Sequence, residues 1–249
     1  MIVLRSTLLA LFMALLTPIY ALVATLSFFL PAMTRYHIIK TWADCVLWFL
    51  KYVVGIRYQV IGQENLPGVP VVFLSKHQSA WETIGLQQIL PPLSFVLKRE
   101  LLRIPFFGWG LAQFSCIAID RAAGRDALDQ VVEQGRQRLA DGFSVIVFPE
   151  GTRVSVGSKK RYKPGGAWLA QHTGVPVVPI AHNAGEFWKK NAFLKTPGLI
   201  TVSIGPAIVS EGLSAAEINA QAADWVDAEM HRLFPHHYLA AGAVKSSEQ

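Results

Sequence analysis

From Ser6 to Ala32 the chain carries no charged side chain. That run is longer than the about 20 residues a helix needs to cross a hydrocarbon core. It is also too long for the apolar part of a cleaved leader, and no small-x-small cleavage pattern closes it. A second apolar segment, Trp42 to Ile56, is shorter and contains Lys51. Two arrangements fit this pattern. One is a crossing helix followed by an interfacial helix. The other is a helical pair lying in one leaflet, bent near Pro18 and Pro31. After Ile56 the pattern changes to short β-branched runs bounded by Gly, Pro or Asp. These predict buried strands over 58–62, 70–75, 94–98, 116–120, 144–148, 175–180 and 200–205. Helical stretches separate them: Ser79 to Leu90, Ala123 to Ala140, Gly165 to Thr173, and Ser214 to about Phe234, the last opened by the capping box "SAAE". Strands alternating with helices predict an α/β fold, a layered and largely parallel sheet of about seven strands flanked by helices. The expected organisation is a membrane-associated helical segment over 1–57, an α/β domain over 58–238 and a flexible tail over 239–249.

Composition adds a partner class. Charged residues are 16% and hydrophobic ones 52%, with a mean hydropathy of +0.34, yet the net charge is +6 and the pI about 9.4. An apolar, basic chain suits anionic membrane lipids or anionic substrates. No nucleic-acid-binding motif or aromatic-interleaved basic run is present, so nucleic acid is not an expected partner. Arg35, Lys40, Lys51 and Arg57 follow the first apolar segment, whereas only Arg5 precedes it. The positive-inside rule then places the body of the chain on the cytoplasmic side of a membrane. Cys45 and Cys116 have no metal-like spacing and read as reduced core thiols.

In open α/β sheets, ligands bind beyond the carboxyl ends of the strands. Three informative segments lie there: "KHQSAWE" after the second strand, Arg121 after "CIAID", and "PEGTR" after "SVIVF". His77 and Glu82 are five positions apart, which on one regular helix would separate them by about 140°. They can meet only if His77 precedes the helix and Glu82 sits in its first turn. Ser79 and Glu82 form an S-x-x-E capping box that predicts this start, with Ser79 as N-cap. Glu82 could then hold the Ser79 backbone N–H or the His77 ring. A carboxylate on one ring nitrogen fixes the tautomer and leaves the other as a base able to deprotonate a hydroxyl.

The segment "FPEGTR" predicts a sharp turn at Pro149 and Gly151 that exposes Glu150 and Arg153. Backbone N–H groups around Gly151 and Thr152, with the Arg153 fork, would suit a phosphate. Lys98 and Arg121, at other strand ends, agree with an anionic substrate. The run Lys159, Lys160, Arg161 and Lys163 is expected to face lipid headgroups or solvent rather than reacting atoms.

These segments together resemble the 1-acyl-glycerol-3-phosphate acyltransferases of bacterial type. "HQSAWE" is similar to that family's His-x4-acid motif, "KREL" through "IPFFGW" to the segment after it, and "FSCIAIDR", "FPEGTR" and "GVPVVPI" to the later blocks, in the same order. One departure is Glu82, where the family usually has aspartate. The resemblance implies the glycerolipid acyltransferase fold. It implies acyl transfer from acyl-CoA or acyl carrier protein to the 2-hydroxyl of lysophosphatidic acid, giving phosphatidic acid, with no metal and no bound cofactor. It implies His77 as general base, Glu82 as its orienting acid, and Arg153, Lys98 and Arg121 on the acceptor phosphate. Glu150, Gly151 and Thr152 would shape the acceptor site, and attack on the thioester would be direct. Related acyltransferases that load lipid A also use His-x4-Glu but are not expected to carry "FPEGTR", so another lysolipid or a lipid A-type acceptor is the alternative substrate. A serine or cysteine hydrolase acting through Ser79 or Cys116 is a rival enzyme, although no G-x-S-x-G elbow is present. A non-enzymatic lipid-binding protein is a rival of another class.

Overall fold

The computed structural model describes residues 1–120, 122–124 and 126–238. Two helices, α1 (Ile2–Leu26) and α2 (Ala32–Phe49), come first, and α2 runs on through a π turn over Leu50–Val54. The α/β body follows in the order β1 (Ile56–Ile61), β2 (Val72–Ser75), α3 (Trp81–Ile89), β3 (Leu93–Lys98), α4 (Phe107–Gln113), β4 (Ile117–Ile119), α5 (Asp126–Ala140), β5 (Ser144–Val147), α6 (Gly165–Thr173), β6 (Val177–His182), α7 (Ala184–Phe187), β7 (Gly198–Ile204) and α8 (Ala215–Leu233). All seven expected strand runs form strands. Ser214 caps α8 through the expected reciprocal box with Glu217.

The seven strands form one sheet in the order β1-β7-β6-β2-β5-β3-β4. Every adjacent pair is parallel except β6 and β7. Strands β2, β5 and β6 are buried at every position, as expected where helices cover both sheet faces. Phe73, Ile146, Val178 and Trp81 belong to a core shared with α1 and α2, and Leu74, Val145, Val147 and Val177 to a second core under α5, α6 and α8. Since β2, β3, β5 and β6 run the same way, the chain beyond Ser75, Lys98, Val147 and His182 emerges along one edge of the sheet.

The N-terminal segment is two helices, but the break differs from expectation. Helix α1 continues through Pro18, and the chain turns instead between Ser27 and Pro31, where Pro31 precedes α2. An interior proline removes one helical hydrogen bond, and the flanking turns here keep the helix going. Helix α1 is long and apolar enough to cross a membrane. One of its faces packs on the body, with Leu9 buried and Phe12, Met13 and Leu16 against the core. The Arg5 guanidinium donates to the Val54 carbonyl at 3.3 Å, the Ser6 hydroxyl accepts from the Lys195 N–H at 2.9 Å, and the Trp42 indole donates to the Thr17 hydroxyl at 3.3 Å. The opposite face leaves Leu4, Leu11, Leu15, Ile19 and Leu22 exposed.

Candidate active site

Residues Lys76 to Ala80 link β2 to α3 without regular structure, which leaves the backbone N–H groups of the turn needing acceptors. Glu82, in the first turn of α3 and fully buried, supplies one. Its Oε1 accepts from the Gln78 N–H at 2.7 Å, from the Ser79 N–H at 2.8 Å and from His77 Nδ1 at 2.9 Å. The two expected uses of Glu82 therefore coincide on one oxygen. The box is only half formed, because the Ser79 hydroxyl accepts from the Trp81 N–H at 3.1 Å and α3 starts at Trp81. Burial alone would push the Glu82 carboxyl up. The neighbouring His182 ring, the His77 hydrogen bond and the Ser79 amide outweigh it and hold the group below the ordinary carboxylate range.

With Nδ1 taken by Glu82, Nε2 is the nitrogen left to exchange a proton. The His77 ring stacks on Phe148 with centroids 4.1 Å apart and an interplanar angle of 17°, and its side chain is 15% exposed. His77 borders a cavity of about 920 Å³. Met13, Thr17 and Tyr20 of α1 and Trp42 of α2 line one wall of it. Lys98, Arg153, Thr152, Gly151 and Lys163 line the polar part. A largely apolar chamber thus has the His77 ring and four cations, Lys98, Arg153, Lys163 and Lys190, in its lining.

His77 and Glu82 are in contact. Lys98 follows from the end of β3, and Arg153, Gly151 and Thr152 follow β5, all bordering the same cavity. Arg121 lies outside the described residues. Glu150 departs from the expected exposure: it is fully buried and turned away from the cavity lining. Its oxygens are drawn inward by the Lys76 ammonium at 2.7 Å and the His77 backbone N–H at 2.8 Å. Lys163 departs too. It lies over Gly151, which has no Cβ to obstruct that close approach, and it borders the cavity instead of facing only solvent or lipid. Lys159 does behave as a surface cation, paired with Asp227 at 2.8 Å.

The rival nucleophiles are disfavoured locally. The Ser79 hydroxyl is buried and engaged at the helix start. Burial pushes the Cys116 thiol up to about 12, against smaller opposing effects of the Phe95 backbone and Arg138.

A family model described as Acyltransferase matches residues 57–183, spanning both the His77 and the Arg153 segments. A 1-acyl-sn-glycerol-3-phosphate acyltransferase of Pseudomonas aeruginosa is 48% identical over 219 residues, 85% of each chain. The chain belongs to the 1-acyl-sn-glycerol-3-phosphate acyltransferase family. The human 1-acyl-sn-glycerol-3-phosphate acyltransferase alpha is 34% identical to this acyltransferase over 180 residues, 71% of this chain and 64% of the human one. In fold, the acyltransferase is similar to the crystal structure of the 1-acyl-sn-glycerophosphate (LPA) acyltransferase PlsC from Thermotoga maritima. The TM-score is 0.76, over 94% of this chain and 98% of that one, at 24% identity.

Sequence reasoning did not single out His182 or Lys76. His182, at the end of β6, is fully buried. Its Nε2 lies 2.8 Å from the Lys76 carbonyl, and its Nδ1 accepts from the Ala184 N–H at 3.3 Å, a pairing that suits the neutral ring. Burial lowers its pKa and outweighs the opposing charge of Glu82. Elsewhere, Glu186, His236 and His237 gather three potential ligand atoms within 4.8 Å. Those atoms already serve one another: Glu186 Oε1 lies 2.6 Å from His237 Nε2 and accepts from the Asn183 amide at 2.9 Å.

Proposed function

We propose that the protein transfers a fatty acyl group from acyl-CoA or acyl carrier protein to the 2-hydroxyl of 1-acyl-glycerol-3-phosphate, forming phosphatidic acid. The observation that carries this reading is the His77 Nδ1–Glu82 Oε1 contact of 2.9 Å on a ring bordering the same cavity as Lys98, Arg153 and Lys163. Glu82 holds the proton on Nδ1, so Nε2 takes the proton of the acceptor hydroxyl. The hydroxyl oxygen attacks the thioester carbonyl carbon and the C–S bond breaks. The leaving thiolate takes the proton back from the imidazolium, which the ionised Glu82 stabilises meanwhile. Arg153, Lys98 and Lys163 hold the acceptor phosphate, and the apolar wall formed by α1 and α2 takes the acyl chains.

The same wall bears on how the enzyme meets its lipid. A helix that lines the cavity with Met13, Thr17 and Tyr20, packs Leu9 into the core and is bonded to the α/β body through Ser6 lies along the catalytic domain instead of standing away from it, with Arg5 and Thr17 tying it to the α2 segment. This supports α1 lying in one leaflet of the cytoplasmic membrane with the body on the cytoplasmic side. The defining experiment is the purified full chain in detergent with labelled acyl-CoA or acyl carrier protein and lysophosphatidic acid. Labelled phosphatidic acid is expected from at least one donor, and none from either would overturn the reading.

A further inference from the structure

Glu150 belongs to the segment that carries the phosphate-binding side chain Arg153, yet it spends both carboxylate oxygens on the other half of the site. Oε1 accepts from Lys76 Nζ at 2.7 Å and Oε2 from the His77 backbone N–H at 2.8 Å. The Lys76 and Glu150 side chains are 7% and 1% exposed. A carboxylate so deeply buried persists only beside a compensating cation and with its hydrogen bonds made. Lys76 Nζ also reaches the Ser158 carbonyl at 3.4 Å, beyond Arg153 in the same loop. Two backbone bonds complete the junction: the Val154 N–H donates to the His77 carbonyl and the Lys163 N–H to the Pro149 carbonyl, both at 2.8 Å. Neither Lys76 nor Glu150 is among the residues lining the cavity. Their pair sits behind its wall, between the chain leaving β2 and the chain leaving β5.

An acceptor with a phosphate at one end and a reacting hydroxyl at the other needs those two chains at a fixed separation. A misplacement of about 1 Å can cost about a hundredfold in rate. We propose that Lys76 is a positioning residue for acyl transfer: through its buried ion pair with Glu150 it sets the separation between the His77 base and the loop carrying Arg153 and Lys163. The role rests on the acyl-transfer reading above. It acts through Glu150, since Lys76, next to His77 in the chain, reaches the loop by way of that carboxylate and the Ser158 carbonyl.

The test is a double-mutant cycle with Lys76→Met, Glu150→Gln and the combined variant. The full chain is assayed in detergent with acyl-CoA and lysophosphatidic acid, and kcat is expressed per folded molecule after thermal melts. Lys76→Met is expected to lower kcat by about ten- to a hundredfold while changing the KM for the thioester donor less than about twofold. In the Glu150→Gln background the same substitution should cost less than about twofold, because the ion pair it breaks is already gone. A purely structural role would lower the melting temperature and leave kcat per folded molecule unchanged, which would overturn the proposal. An equal loss in both backgrounds would also overturn it, since Lys76 would then act apart from Glu150. If Lys76→Met alone does not fold, Glu150→Gln against the combined variant decides: equal kcat supports the link and a further large loss refutes it. Failure of the wild type to turn over would count against acyl transfer itself, a distinct outcome.

Discussion

At the scale of single residues, Glu82 bears three hydrogen bonds on one oxygen, and two of them belong to the backbone. Glu82→Gln keeps an acceptor for the turn but loses the charge that stabilises a protonated His77. Its kcat should fall by about 10² to 10⁴, with a smaller effect on the melting temperature. Steady-state kinetics with lysophosphatidic acid would check this, and wild-type turnover would reduce Glu82 to holding the turn. His182 and Glu82 also set an acid limit on stability. Burial holds the His182 ring below its ordinary 6.5, so below that pH the unfolded chain binds a proton that the folded chain refuses. Glu82 is held below its ordinary 4.5 and acts in the same direction at lower pH. Stability should therefore be complete above about pH 6.5 and decline as the pH falls, by at most about 1.4 kcal/mol per pH unit for each such group. Melting temperatures that stay level from about pH 7 to about pH 5 would contradict this.

At the scale of elements, the site depends on how closely α6 lies against the centre of the sheet. A Cβ placed on Gly166 would come within 2.4 Å of Leu74 Cδ2 and 3.1 Å of Val147 Cβ, side chains of β2 and β5. Those strands lead directly to His77 and to Arg153. Gly166→Ala should destabilise the fold by about 1–3 kcal/mol through overpacking, offset in part by the helix preference of alanine. Thermal or denaturant unfolding would measure it, and an unchanged midpoint would mean that the interface is looser than these distances imply. The strands themselves were legible because a parallel sheet covered on both faces writes its strands as unbroken apolar runs. Helix α4 was not expected. Its sequence, "FGWGLAQ", carries two glycines in seven residues, and it is held by its position under α1, where a Cβ placed on Gly110 would come into ordinary contact with Ala21.

At the scale of the whole molecule, α1 is both a membrane-seeking segment and a wall of the cavity. If it lies in one leaflet, cysteines introduced at Ile2 and at Phe29 should both react with an impermeant maleimide from the same side of sealed vesicles. Cys45 and Cys116 would be replaced first. Labelling of the two positions from opposite sides would establish a crossing helix instead. A cavity bounded by the N-terminal helices on one side and basic strand ends on the other suits a substrate with an acyl tail and a phosphate head. Hydropathy along the chain suggested both halves of that surface but not that they meet.

The sequence by itself determined the uncharged N-terminal run, the seven strands and the helices between most of them. It also carried the His77–Glu82 spacing and the Arg153 segment, because local periodicity and short-range spacing are written in consecutive residues. Tertiary structure alone decided what Glu150 faces. Exposure of a turn residue depends on what packs above it, and its partner Lys76 is 74 positions away. It also decided that Lys163 borders the cavity, since the loop folds back over Gly151, and that His182 stands beside the Glu82 carboxylate. The Glu150 and His182 contacts are long-range ones between strand ends, and they exist only once β2, β5 and β6 lie side by side.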